Sequence, residues 1–184
     1  MSTTVSALLT AREFAKLPDN GEKLELVRGR VVPVNMPLPR HGEICGNACH
    51  LLKLFLDENR RGRVVTNDSG VLVERDPDTV RGADVAYYSF ERVPEGPLPN
   101  HYLEVAPDVI FEVRSRGDRW LKILAKVAEY LRAGVTYVCV LDEQTMQAQL
   151  FHSDQSPRVL TADEELYLPE VFGDFRVVVR RFFA

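Results

Sequence analysis

Cysteine is scarce in this chain, which has three cysteines among 184 residues. Cys45 and Cys49 are four residues apart, and Cys139 is remote from both. This spacing favours reduced side chains within a core over a disulfide framework. It also lacks the closely ordered ligands that a structural zinc site requires.

Long hydrophobic runs are absent as well. No apolar run approaches the ~20 residues that a membrane-spanning helix needs. The first residues, Met1 to Val5, lack the basic and apolar blocks of a signal peptide. We therefore expect a cytoplasmic protein that does not bind membranes.

Positive charge is in deficit, because the net charge is −4. This argues against a protein that coats nucleic acid by electrostatics alone. The composition, 45% hydrophobic and 27% charged residues, is that of an ordinary globular protein, and we expect residues 1–184 to form one domain. Locally the charge reverses, since the stretch from Arg114 to Arg132 has six basic and two acidic residues.

The first third of the chain alternates between strand and helix patterns. Segments 23–27 and 30–34 flank an Arg-Gly pair and predict a β-hairpin, in which Glu25 points away from the neighbouring leucines. Apolar residues at helical spacing predict a helix over 41–60. Short strands are expected on either side of a turn at 67–70.

The remaining chain adds strands around a second helix. In chain order, we predict a strand over 82–88, a buried strand over 107–114, a helix over 118–133 with Asp118 as its N-cap, a buried strand over 135–141, a partner strand over 147–151, and a final strand over 176–179 that closes the sheet. The order indicates an α/β (α+β) fold with a mixed β-sheet flanked by helices.

A single carboxylate interrupts the most apolar of these strands. Residues 107–114 have the pattern of a strand covered on both faces, and Glu112 lies within it. Removing an ionised glutamate from water is costly unless a cation compensates. The position therefore predicts either a metal ion at Glu112 or a buried ion pair with Arg114 or a lysine.

A second acid could share an ion with Glu112. Asp84 lies near the start of its predicted strand, where an acid without partners would be unremarkable. Asp108 is a competitor, but it shares the strand of Glu112 at a distance of ~13 Å, too far to share one ion. We therefore pair Asp84 with Glu112.

Two lysines of the following helix could supply the cation. Lys126 borders the apolar residues Ile123 and Tyr130, whereas Lys122 lies nearer the middle of the polar face. We expect Lys126 to point toward the two acids and Lys122 to point toward solvent or phosphate. The alternative for either is a solvated lysine.

Six segments in this order resemble the Uma-two (Uma2) family of restriction endonucleases, within the PD-(D/E)XK nuclease superfamily. The segments are Leu24–Arg30, Pro39–Gly42, Arg81–Ala86, Pro107–Val113, Lys126–Val135 and Val140–Asp142. The resemblance implies a restriction-endonuclease-like core. Asp84 matches the acid of the Pro-Asp element, and Glu112 matches the acid of the (D/E)XK element. Arg114 occupies the lysine position of that motif, so either Lys126 supplies the ammonium from the helix or Arg114 stands in for it.

The resemblance also implies a function. It predicts a Mg²⁺- or Mn²⁺-dependent endonuclease acting on DNA, with the ion held by Asp84, Glu112 and the carbonyl of Val113. Lys126 would orient or deprotonate the attacking water. The accessory candidates are Glu25, as an outer carboxylate, and His41, as a contact for phosphate or metal-bound water.

Nucleic-acid contacts and assembly complete these expectations. The residues that we expect to contact nucleic acid are Arg114, Arg116, Arg119 and Lys122. A homodimer is expected, since two identical sites can address two antiparallel strands. Two alternatives stay open: a catalytically weak member of the same fold that binds nucleic acid, and an interaction protein whose acids are only salt-bridged.

Overall fold

A computed structural model describes residues 7–18 and 20–184 of the chain. Its elements, in chain order, are α1 (Ala11–Phe14), β1 (Leu24–Val27), β2 (Arg30–Pro33), α2 (Pro39–Glu58), β3 (Gly62–Glu74), β4 (Thr79–Ser89), β5 (Val109–Arg114), α3 (Trp120–Arg132), β6 (Tyr137–Asp142), β7 (Gln147–His152), β8 (Gln155–Leu160), β9 (Glu165–Tyr167), α4 (Pro169–Phe172), β10 (Arg176–Val178) and a 3₁₀-helix (Val179–Phe183). In the described part of the chain, no helix is both long and apolar enough to cross a membrane.

Eight strands form one mixed sheet, in the order β2-β1-β4-β5-β6-β7-β8 with β3 beside β4. β5 and β6 are parallel, and the other neighbouring strands are antiparallel. A parallel pair needs a crossover connection, which α3 provides. The predicted fold class, a mixed sheet flanked by helices, is confirmed.

The two long helices cover opposite faces of the sheet. Alternation along β5 turns Phe111 toward the cluster that contains Ile44 of α2, and it turns Ile110 toward the cluster that contains Tyr130 of α3. Each such large side chain contributes roughly 1.5–3 kcal/mol when fully buried. The same alternation directs Glu112 to the face that α3 covers.

One edge of β4 has a gap in its pairing. β3 pairs with β4 along its length, so β1 and β5 share the opposite edge. β1 contacts that edge at Val80, and the registered contacts of β5 begin at Val85. We call the intervening segment, Arg81–Asp84, the notch. Side chains must satisfy the backbone groups that the notch directs to this edge, because neither β1 nor β5 pairs with residues 81–84.

The helix α2 lies two residues earlier than predicted, and α3 is shorter than predicted at both ends. α2 covers Pro39–Glu58 rather than 41–60, because proline is well tolerated in the first turn, where no amide hydrogen is needed. α3 begins at Trp120, and Asp118 is not its N-cap. Its carboxylate instead accepts a hydrogen bond from the amide of Ser115 at 2.9 Å, which stabilises the loop before the helix.

Two strand predictions were wrong. The expected turn at 67–70 is an irregularity inside the single long strand β3, where Asn67 and Asp68 have positive φ and the register shifts. The strand continues because β4 pairs on both sides of the shift. Arg176–Val178 does not close the main sheet, since it pairs with Glu165–Tyr167 in a separate two-stranded sheet.

Candidate active site

Glu112 lies beneath α3 with a donor on each carboxylate oxygen. The ammonium of Lys126 lies 3.0 Å from Oε2, and the hydroxyl of Tyr130 donates to Oε1 at 2.8 Å. Both donors come from one face of α3, because they are four residues apart. The compensating cation that the apolar strand required is therefore a lysine of the next helix.

Lys126 bridges the acid and the notch. Its ammonium also donates to the carbonyl of Gly82 at 3.0 Å, and it lies 3.6 Å from Oε1 of Glu25. Tyr130 reaches the same carbonyl at 3.1 Å. Lys122, one turn earlier, is exposed. Lys126 therefore contacts one of the two acids toward which it was expected to point, Glu112, and Lys122 is exposed as expected, while their roles in catalysis stay predictions.

Burial and neighbouring charges shift the pKa values of Glu112 and Lys126. Burial raises the pKa of Glu112 to about 7, and the charge of Asp84 adds to the effect, while Lys126 and Tyr130 oppose it. Burial acts against the charge of Lys126, but the carboxylates of Glu112, Glu25 and Asp84 outweigh it and raise the lysine pKa above its ordinary value. Lys126 is therefore an ammonium at neutral pH.

Asp84 lies at the point where β4 and β5 stop pairing. The register Val85↔Phe111, extended by one position, sets Asp84 opposite Glu112. Beyond the last pair, Oδ2 of Asp84 accepts the amide hydrogen of Val113 at 2.6 Å. The carboxylate thus takes the place of a backbone acceptor at the notch. The carbonyl of Val113 stays a predicted ligand.

His41 reaches Asp84 from the first turn of α2. Its Nε2 lies 3.2 Å from Oδ2 of Asp84, and its Nδ1 lies 3.4 Å from Sγ of Cys45. Burial opposes the charge of His41, but the hydrogen bond and charge of Asp84 outweigh it and raise the imidazole pKa to about 10. Burial raises the pKa of the Asp84 carboxyl, but the hydrogen bond and the charge of His41 outweigh burial and lower that pKa below its ordinary value.

Glu25 of β1 contacts the notch at Gly82 and Arg81. Its Oε1 accepts the amide hydrogen of Gly82 at 3.1 Å, and its Oε2 lies 2.8 Å from the guanidinium of Arg81. Arg81 also binds both carboxylate oxygens of Glu129, at 2.6 and 3.0 Å. Burial acts against the charge of Arg81, but the two carboxylates outweigh it and raise the guanidinium pKa. Glu25 is therefore held in place from two directions.

The charge of this cluster suits a divalent cation. The carboxylates belong to Glu25, Asp84, Glu112 and Glu129, and the permanent cations are Arg81 and Lys126. With His41 protonated, as its pKa of about 10 implies, four ionised carboxylates face three cations, so the cluster keeps one uncompensated negative charge. Buried acids in excess require a cation, and carboxylate oxygens are the ligands that Mg²⁺ and Mn²⁺ prefer. The residues present therefore fit such an ion.

Arg114 binds Asp142 and not Glu112. Its guanidinium lies 2.9 Å from Oδ2 of the buried Asp142 and stacks over the ring of Trp120 at 4.8 Å. The parallel register sets Arg114 directly beside Asp142. Of the two cations that the sequence allowed at Glu112, the structure brings Lys126 to the carboxylate and holds Arg114 away from it. This pairing also makes Arg114 a poor phosphate contact.

The other predicted nucleic-acid contacts are accessible. Arg116, Arg119 and Lys122 are all exposed, on the loop between β5 and α3 and on the first turn of that helix. This segment begins two residues after Val113. A basic surface therefore adjoins the acid cluster. Asp108, the rejected competitor of Asp84, binds Arg92 at 3.0 Å and caps the amide of Ser89 at 2.7 Å.

Sequence reasoning missed three residues that contact the candidate site. Tyr130 was recognised only as an apolar neighbour, although its spacing from Lys126 put both residues on one face. Cys45 follows His41 by four residues in a helix, and that spacing could have linked them. Arg81 had no such signal, since its partners Glu25 and Glu129 are remote in sequence.

Comparison with known proteins gives a family and a fold. The model of the Uma2 family, described as "Putative restriction endonuclease", matches residues 11–180. Among solved structures, the chain is similar to "a putative nuclease belonging to DUF820" from Anabaena variabilis ATCC 29413, with a TM-score of 0.81 at 20% identity, covering 95% of this chain and 97% of that one. No curated protein matches the chain. The resemblance found in the sequence is confirmed.

Proposed function

The chain belongs to the Uma2 family, whose description is "Putative restriction endonuclease", and from that premise we propose that it is a metal-dependent endonuclease that hydrolyses phosphodiester bonds in DNA. The observation that carries the proposal is the buried carboxylate of Glu112, held by Lys126 and Tyr130 and followed by Val113, whose amide donates to Asp84 at 2.6 Å. An acid buried in an apolar strand is costly. Perturbed, converging ionisable groups of this kind favour a functional site.

The acid cluster would hold the ion. Asp84, Glu112 and the carbonyl of Val113 are the proposed ligands, and Glu25 is an outer carboxylate for ordered water. A bound Mg²⁺ or Mn²⁺ would supply an acidified water and neutralise charge on the phosphate. Because both oxygens of Glu112 already have donors, ligation requires Lys126 to share or release Oε2.

Lys126 would act as a donor rather than as a base. Its neighbouring carboxylates raise its pKa, so the ammonium keeps its proton at neutral pH. A protonated amine cannot accept the proton of water, but it can orient water or a phosphate oxygen by hydrogen bonding. Of the two roles expected for this lysine, the electrostatics favour orientation.

The reaction consumes one water for each bond cut. The water oxygen bonds to phosphorus, one phosphorus–oxygen ester bond breaks, one proton remains on the new phosphate and the other ends on the released hydroxyl. Arg116, Arg119 and Lys122 would hold the DNA backbone beside the site through phosphate contacts. Arg114, already bound to Asp142, would stabilise the loop that presents them.

We also propose that the active species is a homodimer. A two-fold axis would direct two copies of the site at the two antiparallel strands of a duplex. Light scattering at several protein concentrations measures the assembly state. A monomer at the highest concentration would contradict this part of the proposal.

The decisive test is digestion of supercoiled plasmid with Mg²⁺ or Mn²⁺, with and without chelator. We expect metal-dependent cleavage by the wild-type chain and none by Asp84→Ala. Asp154→Asn is the matched control, because Asp154 is an exposed acid in the turn between β7 and β8. Cleavage that survives chelation, or that Asp84→Ala retains, would overturn the proposal. DNA binding without cleavage would favour the catalytically weak alternative, and calorimetry with Mn²⁺ identifies the salt-bridged alternative by its lack of binding.

A further inference from the structure

We propose that His41, Cys45 and Asp84 form a second, thiolate-containing metal site that takes Zn²⁺ in preference to Mg²⁺, and that its occupation inhibits the enzyme by removing Asp84 from the catalytic cluster. Its inhibitory part rests on the proposed nuclease function. The binding part does not, because it is argued from these three side chains alone.

The three side chains converge from two elements. His41 and Cys45 lie one turn apart on the same face of α2, and Asp84 projects from β4 to meet them. One ligand atom from each lies within 4.8 Å of the others. The individual contacts, 3.2 Å between Nε2 of His41 and Asp84 and 3.4 Å between Nδ1 of His41 and Cys45, use opposite ring nitrogens, so an ion would be bound through one of the two.

The 4.8 Å limit on the separation of one ligand atom from each residue is near the ligand spacing of an occupied site. Ligand atoms around a tetrahedral zinc ion are roughly 3.5 Å apart at bond lengths of about 2.0–2.3 Å. The side chains therefore need to draw together by about 1 Å. One nitrogen, one sulfur and one oxygen ligand leave the fourth position open to water, as in three-ligand zinc sites.

The ligand chemistry separates this site from the oxygen cluster. Thiolate and imidazole suit Zn²⁺ and other borderline-soft ions, whereas Mg²⁺ selects carboxylate, carbonyl and water. Binding releases two protons to solvent, the thiol proton of Cys45 and one proton of the His41 imidazolium, because the ligands are a thiolate and a neutral imidazole. Since Asp84 is common to both sites, Zn²⁺ at His41 and Cys45 competes for a carboxylate that the catalytic ion needs.

A nearby cysteine provides a matched control. Cys49 lies one turn beyond Cys45 on α2 and is partly exposed as Cys45 is, and neither has a disulfide partner. It is not one of the three residues of the proposed site. Cys49→Ser should therefore reproduce any general effect of losing a thiol from this helix, without the loss of a ligand.

The binding test titrates Co²⁺ into the metal-free, reduced full chain and follows the near-ultraviolet charge-transfer absorption that a cobalt–thiolate bond produces. We expect one equivalent of signal in the wild type and in Cys49→Ser, and its disappearance in Cys45→Ser. Zn²⁺ should abolish the signal by displacement, and Mg²⁺ should not. His41→Gln should weaken binding on the order of 100-fold or more, because loss of an outer partner alone costs 10–100-fold.

Thermal unfolding of each metal-free variant establishes whether that variant is folded. If Cys45→Ser does not fold, His41→Gln tests the site independently. No thiolate signal in the wild type would overturn the site, as would a signal that Cys45→Ser keeps and Cys49→Ser loses. In plasmid cleavage with Mg²⁺, added Zn²⁺ should inhibit the wild type and Cys49→Ser more than Cys45→Ser. Equal inhibition of all three would refute competition for Asp84. Absence of cleavage without added zinc would refute the nuclease function and leave the cobalt result standing.

Discussion

Lys126→Met tests the assignment of the cation at Glu112. Methionine keeps most of the apolar stem of the side chain and removes three contacts of the ammonium, at 3.0 Å with Glu112, 3.0 Å with the Gly82 carbonyl and 3.6 Å with Glu25. Loss of a positioned group that acts on water typically costs on the order of 10²-fold in rate, about 2.7 kcal/mol of transition-state stabilisation. We expect at least that loss in the cleavage step.

The same substitution should lower stability in a pH-dependent way. Breaking a buried ion pair costs up to about 3–5 kcal/mol, but Glu112 can avoid part of that cost by taking a proton. Its pKa is already raised to about 7 by burial, and removal of Lys126 raises it further. A carboxyl whose folded pKa exceeds its unfolded value loses stability as pH rises. The penalty should therefore be larger at pH 8 than at pH 6.

The assays separate chemistry from binding. Single-turnover cleavage with saturating enzyme measures the rate, calorimetry with Mn²⁺ measures metal affinity, and urea unfolding at both pH values measures stability. Metal affinity should not fall, because Lys126 competes for Oε2 of Glu112. Lys122→Met, the exposed neighbour, should instead weaken DNA binding and flatten its dependence on salt. The reverse pattern for the two lysines would refute the reasoning.

Three further substitutions test the remaining contacts. Glu112→Gln should abolish metal binding and cleavage while keeping the fold, because the amide retains an acceptor for Tyr130. Calorimetry, plasmid cleavage and circular dichroism measure the three properties, and cleavage by this variant at the wild-type rate would exclude the site. Tyr130→Phe removes the donor to Oε1 and should cost about 1–3 kcal/mol of stability in urea unfolding, and an unchanged midpoint would show that the hydrogen bond contributes nothing. His41→Gln should flatten the pH dependence of stability: its folded pKa of about 10 lies above the ordinary 6.5, so its contribution is complete below pH 6.5 and lost as pH rises toward 10. Metal-free wild type should therefore lose more stability than His41→Gln between pH 7 and 9, and parallel curves would contradict the His41–Asp84 ion pair.

Periodicity was sufficient for the elements that carry the site. The hairpin of β1 and β2, the two long helices and the buried strand of Glu112 all follow from local alternation or helical spacing. The choice between Lys126 and Lys122 followed from the same spacing, since the face that buries Tyr130 also brings Lys126 to Glu112. Local patterns identify which face of an element is buried, and here the buried face contained the polar contacts.

Contacts between remote strands lie beyond such reasoning. Nothing in residues 67–70 distinguishes a hairpin turn from an irregularity in one long strand, because the difference depends on whether β4 pairs on both sides. The notch has the same origin, since it requires β1 and β5 to share one edge of β4 without meeting. Arg81 contacts the site only through that gap, and its two acidic partners come from β1 and α3.

The notch also explains why a lysine can act from a helix in this chain. Alternation turns Glu112 and Arg114 to the same face of β5, so a cation at position 114 is the natural neighbour of the acid. The parallel register, however, sets Arg114 beside Asp142, which is buried and needs a cation of its own. If Arg114 paired with Glu112 instead, the buried carboxylate of Asp142 would have no cation. That loss would cost about as much stability as loss of the Lys126–Glu112 ion pair. Because Asp142 holds Arg114 and neither β1 nor β5 pairs with β4 at Gly82, the side chain of Lys126 can extend from α3 and bind both the Gly82 carbonyl and Glu112.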